Sequence, residues 1–159
     1  MENWVSCHND SKPENIVFDG QRPWLVDWEA AFLNDRYLDL AIVANFVVTN
    51  EQEEKAYLET YFEEAVDEYK HARPFLMQQI LHLYYFIFLM VFDRGEKPIE
   101  INKINQRGFR EFHNGMWNGV ISLEDALTKR EYAMVHLEQF LLKAGTNRFK
   151  DSLRIVGRH

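Results

Sequence analysis

Cysteine is nearly absent from this chain. Of its 159 residues only Cys7 carries a thiol, which excludes an internal disulfide framework. Nothing beside Cys7 marks it as a thiolate, so it is expected to be a small buried residue. Positive charge is scarce as well: 18 Lys and Arg stand against 25 Asp and Glu, a net charge of −7. Phosphate-binding surfaces are basic, so this balance argues against a nucleic-acid partner. The most apolar stretch, Ile80 to Phe92, contains His82 and is shorter than the roughly 20 residues that cross a bilayer. It is expected to be a buried helix, with no membrane partner. No basic-then-apolar leader is visible, and the expectation is a cytoplasmic protein. Glycine (7) and proline (4) are few and scattered, and neither a repeat nor a low-complexity linker appears. Apolar residues are plentiful: at 47% they suffice for one domain with a real core.

Against that background the stretch Cys7 to Glu29, CHNDSKPENIVFDGQRPWLVDWE, stands out. It places a carboxylate on a loop at Asp10, an amide oxygen at Asn15 and a second carboxylate at Asp27. Phosphoryl transfer asks for Mg²⁺ held by oxygen ligands against phosphates, and for one acid that orients an acceptor hydroxyl and takes its proton. Asp10 suits the acid, while Asn15 and Asp27 suit the metal. The runs Ile16-Val17-Phe18 and Trp24-Leu25-Val26, with Asp19-Gly20 as turn signal and Pro23 at the second entry, predict a β-hairpin. That hairpin would hold Asn15 and Asp27 close together. Taken singly, each of these polar residues reads as a turn former; taken together, they read as a site.

At these residues the chain resembles the eukaryotic-type kinase superfamily, in particular its aminoglycoside phosphotransferase and choline/ethanolamine kinase branch. His8-Asn9-Asp10 with Pro13 and Asn15 is similar to the catalytic loop, and Asp27-Trp28-Glu29 to the metal-binding triplet. Asn34 to Ala41, NDRYLDLA, is similar to the segment that follows. The resemblance implies Asp10 as catalytic base, Asn15 and Asp27 as ligands of Mg²⁺ with ATP as phosphoryl donor, His8 as a brace of the loop and Asp39 as its anchor. Lys12 stands where protein kinases keep a phosphate-contacting lysine, which implies a contact to the nucleotide. Protein kinases have Arg where Asn9 stands and Phe-Gly where Trp28-Glu29 stand, so the small-molecule branch is preferred. Asn9 and Glu29 look more like choline, ethanolamine or thiamine kinases than aminoglycoside enzymes, and Glu29 is a candidate acceptor contact. Ala30 departs from the aromatic residue that choline kinases often carry there.

The implied acceptor is a small amine-bearing molecule, which two other features could serve. Glu51, Glu53, Glu54, Glu59, Glu63, Glu64, Asp67 and Glu68 crowd one predicted helix, whose other face carries Tyr57, Leu58, Tyr61, Phe62 and Ala65. A solvated face is the preferred reading, an acidic wall for a cation the alternative. Tyr84, Tyr85 and Trp117 could cage a cationic amine. The two tyrosines lie inside the apolar run and read as core, whereas Trp117 lies in a glycine-flanked segment and is the better acceptor candidate.

The predicted fold is mainly α with a small β-hairpin (α+β), the C-terminal lobe of a protein-kinase-like fold. Residues 1–145 form this lobe, with its motifs at 8–29 and helices over 36–144, and residues 146–159 form a loose basic tail. Asp35 or Asp39 caps a helix to about Val48, Asn50 caps the acidic helix, and Pro74 begins a third that ends near Gly95. Lys97 to Gly119 reads as irregular, broken at Pro98, Gly108, Gly115 and Gly119; Ser122 and Asp125 open a helix to about Ala144. A kinase of this type also needs a glycine-rich strand pair and a strand lysine. Neither fits upstream of Trp4, which sets the expectation of a lobe lacking its N-terminal partner, inactive alone and self-associating over uncovered apolar surface. The alternative is a non-catalytic interaction or oligomerisation module that keeps the motif by descent.

Overall fold

The computed structural model describes residues 3–91 and 107–159. They fall into two compact units: residues 1–78 with 148–159, and residues 79–147. The expected helix end near Gly95 and the break at Pro98 lie outside the described residues.

The first unit starts with strand β1 (Trp4–Cys7), which runs into the loop carrying Asp10. A 3-10 turn at Pro13–Asn15 leads to β2 (Ile16–Phe18), paired antiparallel with β3 (Pro23–Leu25) in the register Ile16–Leu25, Val17–Trp24 and Phe18–Pro23. This is the expected hairpin. Asp19 organises its turn by accepting the backbone N–H of Gln21 and Arg22 and the indole N–H of Trp24, while Gly20 supplies the positive φ of 95°. A second sheet was not foreseen: β4 (Phe32–Asp35) pairs antiparallel with β1, Cys7 facing Phe32 and Trp4 facing Asp35. It fastens the start of the loop to the start of the next helix.

Helix α1 (Arg36–Val47) is capped by Asp35, whose carboxylate accepts from Tyr37 N at 3.0 Å. Helix α2 (Glu51–Phe62) is capped by Asn50 through Glu53 N. Their shared core is Tyr37, Leu40 and Leu58, flanked by Tyr57, Phe62, Val66 and Tyr69. Burying each such side chain contributes about 1.5–3 kcal/mol. The acidic helix is shorter than expected. Glu63 adopts a left-handed conformation (φ 57°) that stops α2, so Glu63, Glu64, Ala65 and Asp67 stand in a turn and Glu68 opens α3 (Glu68–Val91). Pro74 therefore lies inside α3 and does not start it. Asp67 starts it, accepting Lys70 N at 2.7 Å, and Pro74 lies about two turns further on, inside the helix, with its ring fully buried.

Residues 146–159 are not a loose tail. They form α6 (Asn147–Val156), which buries Ser152 and sets Arg148 against Glu54 of α2 with two contacts of 2.7 and 2.8 Å. The basic residues that suggested a solvated end include the one that pairs with a buried acid. Glu54 thus leaves the solvated face expected of the acidic cluster.

The second unit combines the C-terminal part of α3 with α4 (Phe109–Trp117) and α5 (Ala126–Ala144). Asp125 caps α5 through Thr128 N, as its spacing suggested. Helix α4 occupies a segment expected to be irregular. Its Gly115 is a close-approach residue and no break, since a Cβ there would collide with the Ile121 side chain. Phe109, Phe112, Tyr132 and Val135 form the core of this unit. The apolar run in α3 is only partly covered. Ile80, Tyr84, Ile87, Phe88 and Val91 follow one helical face and are exposed, which corrects the expectation that Tyr84 is core. Tyr85, by contrast, lies against His136 at 4.9 Å. By length and composition alone this 24-residue helix could cross a membrane, a test that core helices also pass; Ala72, Phe75 and Leu81 are buried within the protein.

Candidate active site

Asp39, in the first turn of α1, is the centre of the loop's support. Its Oδ2 accepts His8 N at 2.7 Å and its Oδ1 accepts Asn9 N at 2.8 Å and the Ser11 hydroxyl at 3.2 Å. A carboxylate at a helix N-terminus is favoured by the backbone dipoles there, and here it also satisfies two donors of a loop that has no ladder partner. Ser11 had no role in the sequence reading. Its burial follows from this bond.

His8 braces a different strand. Its Nε2 donates to Val26 O at 2.8 Å, and its ring lies 4.7 Å from that of Trp28. Asn9 takes a left-handed conformation (φ 63°) and donates from Nδ2 to Ala30 O at 2.9 Å and Cys7 O at 3.2 Å, while accepting Asn34 Nδ2 at 2.8 Å. The residue that marked the family branch is thus also a tie between the loop and the segment after Asp27. Asn34 lies in the quoted motif, yet only the fold reveals its contact. Burial pushes the Cys7 thiol up to about 11, helped by the Asp39 carboxylate, so Cys7 stays a protonated, buried group.

Asp10, Lys12 and Asn15 meet directly. Lys12 Nζ lies 2.7 Å from Asp10 Oδ2, and Asn15 Nδ2 donates to the same oxygen at 2.9 Å and to Asp10 O at 2.8 Å. Asn15 is buried, and its Nδ2 makes both of these bonds to Asp10 while Oδ1 takes part in neither. Asn15 O also accepts Val26 N at 2.9 Å, which brings Asn15 within one residue of Asp27 across the hairpin base. Asp27 is exposed and left-handed (φ 63°, ψ 62°), a strained conformation for a residue with a side chain. It turns the chain into the 3-10 segment Trp28–Ala30, where Glu29 is exposed. Trp117 ends α4 in the second unit and is 65% exposed.

Amide and carboxylate oxygens are the donors Mg²⁺ prefers. Among the described residues no group of three or more His, Cys, Asp or Glu side chains gathers into a metal cage. Two protein ligands, completed by phosphate oxygens and water, are the usual arrangement for Mg²⁺ at a nucleotide. The residues present fit the ion.

Residues 2–75 match the sequence model of the phosphotransferase enzyme family. Protein LicA of Haemophilus influenzae (strain Rd) is 36% identical over 55 residues, which are 35% of this chain and 21% of that protein. The Protein LicA homolog of Mycoplasma capricolum is 25% identical over 107 residues, 67% of this chain and 42% of that protein. The chain therefore spans less than half the length of these curated relatives. A solved choline/ethanolamine kinase family protein from Mesorhizobium loti shares the fold, with a TM-score of 0.72 and 19% identity over 98% of this chain and 44% of that one. The loop, the hairpin and the start of the following helix all lie within the stretch that matches the phosphotransferase enzyme family, and the fold is that of the choline/ethanolamine kinase family protein.

Proposed function

We propose that this chain carries the catalytic lobe of an ATP-dependent kinase that phosphorylates a hydroxyl of a small amine-bearing molecule, such as choline, ethanolamine or an aminoglycoside. The observation that carries the reading is the coupling of Asp10 to Asn15 at 2.8 and 2.9 Å, with Asn15 tied to Val26 beside Asp27. Asp10 acts on the acceptor. Its two side-chain donors both fall on Oδ2, so Oδ1 is the atom that receives the hydroxyl proton. Asn15 Oδ1 and the Asp27 carboxylate would hold Mg²⁺, which neutralises charge on the phosphates when bound. Lys12 would contact the nucleotide's phosphates, and Glu29 or Trp117 the acceptor. The described strands contain no lysine and no glycine-rich hairpin, so transfer is proposed to need an N-terminal lobe that supplies them.

The test is transfer of labelled γ-phosphate from Mg-ATP to a panel of amino alcohols and aminoglycosides. It is run with this chain alone and with any in-frame upstream polypeptide attached. Asp10→Ala is expected to slow transfer about 10²- to 10⁴-fold while nucleotide binding persists, because general-base catalysis supplies about that much. Asp27→Ala is expected to abolish Mg-dependent nucleotide binding. Equal transfer rates for Asp10→Ala and the unaltered protein would remove the base assignment.

The exposed stripe on α3 favours a second reading, an association module. Ile80, Tyr84, Ile87, Phe88 and Val91 form a continuous apolar face of a kind that seldom stays bare. A second copy of the chain is the proposed cover. Sedimentation across a concentration series should show a dimer that Ile87→Glu with Val91→Glu converts to monomer; an unaltered chain that stays monomeric at high concentration ends this reading.

A further inference from the structure

The second unit buries three histidines that the kinase reading does not use. His82 Nδ1 lies 2.9 Å from His136 Nδ1, so one ring donates and the other accepts, a bond that survives only while at least one ring is neutral. His113 Nε2 meets the Tyr132 hydroxyl at 3.1 Å, and the His113 and His136 rings are 6.3 Å apart. Phe109 packs edge-on against all three rings. His136 is 1% exposed, and its Nε2 has no hydrogen-bond partner among the described residues. Three helices contribute: His82 and Tyr85 from α3, His113 and Arg110 from α4, and Tyr132, His136 and Lys143 from α5.

We propose that this cluster makes the α3–α4–α5 unit acid-labile, opening in mild acid when its histidines take up protons that the closed packing cannot accommodate. Among the described residues, the charged groups that act on the three rings are the other histidines, Lys143 and Arg110. Lys143 and Arg110 add positive charge, and each ring protonated repels the next. Glu131, the buried acid on α5, lies 3.6 Å from Arg107. Burial holds His82 and His113 down to about 4, and His136 well below its ordinary value. The closed form thus binds fewer protons than the open form below pH 6.5, so its stability is present above that pH and is lost as pH falls. For a histidine shifted from 6.5 to about 4, the opening constant rises by about 25-fold between pH 7.5 and pH 5. His82 and His113 together give several hundredfold.

Hydrogen exchange with mass spectrometry, corrected for intrinsic rates, reads this by segment in the full chain. The expected result is an opening constant for residues 109–144 that rises several hundredfold from pH 7.5 to 5, with a much smaller change in residues 36–62. His113→Asn should lower the rise by about 25-fold. Ring C–H resonances of the unaltered protein provide a second measure that needs no variant. They should not titrate in the folded chain above pH 5. Midpoints near 6.5 for these rings, or the same pH dependence in both segments, would overturn the proposal.

Discussion

Replacing Asp39 with alanine is expected to destabilise the chain by about 3–4 kcal/mol, although the residue touches neither phosphate nor acceptor in the proposed chemistry. Its carboxylate accepts two backbone N–H groups and a hydroxyl from the loop. A hydrogen bond to a charged group is worth about 1.5–3 kcal/mol, and donors stranded in a buried place add a desolvation cost. Asp39→Asn should fall between the two, because one oxygen is kept while the new NH₂ opposes an N–H donor. Urea unfolding provides the free energies, and hydrogen exchange at His8 and Asn9 shows whether the loop itself is released. A loss below about 1 kcal/mol with those amides still protected would mean that β1 and β4 hold the loop without Asp39.

Much of this arrangement was legible in the sequence because it is local. The hairpin follows from two three-residue apolar runs around Asp19-Gly20, and the caps at Asp35, Asn50 and Asp125 follow from short side chains placed before helical periodicity. Asp10, Lys12 and Asn15 lie within six residues, so their meeting needs only one turn of chain. The resemblance added Asp39, which spacing alone could not have tied to His8 across 31 positions.

What escaped has a common cause. The pairing of β1 with β4 depends on residues 25–31 positions apart whose strands are too short to carry a period-two signal. Pro74 looks like a helix start because that is where proline is cheapest; a better one, Asp67, stands about two turns earlier, and tertiary packing covers the ring. The three histidines stand at 82, 113 and 136, and no spacing rule joins them. His82 was noted only as part of the apolar run, and His113 and His136 belong to no pattern that would join them to it in one buried cluster. Glu54 was misjudged for the same reason: among eight acids its burial depends on a cation 94 residues away.

That pair sets the last expected result. Glu54 has a side chain only 8% exposed, and Arg148 meets both of its oxygens while its guanidinium lies 4.0 Å above the Phe75 ring. Both contacts come from the single nitrogen Nη2, and the planar guanidinium also covers the Phe75 ring, which the compact ammonium of Lys would cover less well. Arg148→Ala leaves a buried carboxylate without its partner, and such a loss costs about 3–5 kcal/mol. The expected result is a chain whose α6 detaches, read as rapid proteolysis near Gly145 together with an unfolding midpoint at lower urea. Arg148→Lys should recover part of the loss. The double change Arg148→Met with Glu54→Leu should recover most of it, because two apolar groups of similar volume need no charge partner and the desolvation cost disappears with the ions. If the double variant is as unstable as Arg148→Ala, the weight lies on the stacking of Arg148 against Phe75 and not on the ion pair, and α6 is held by its packing alone.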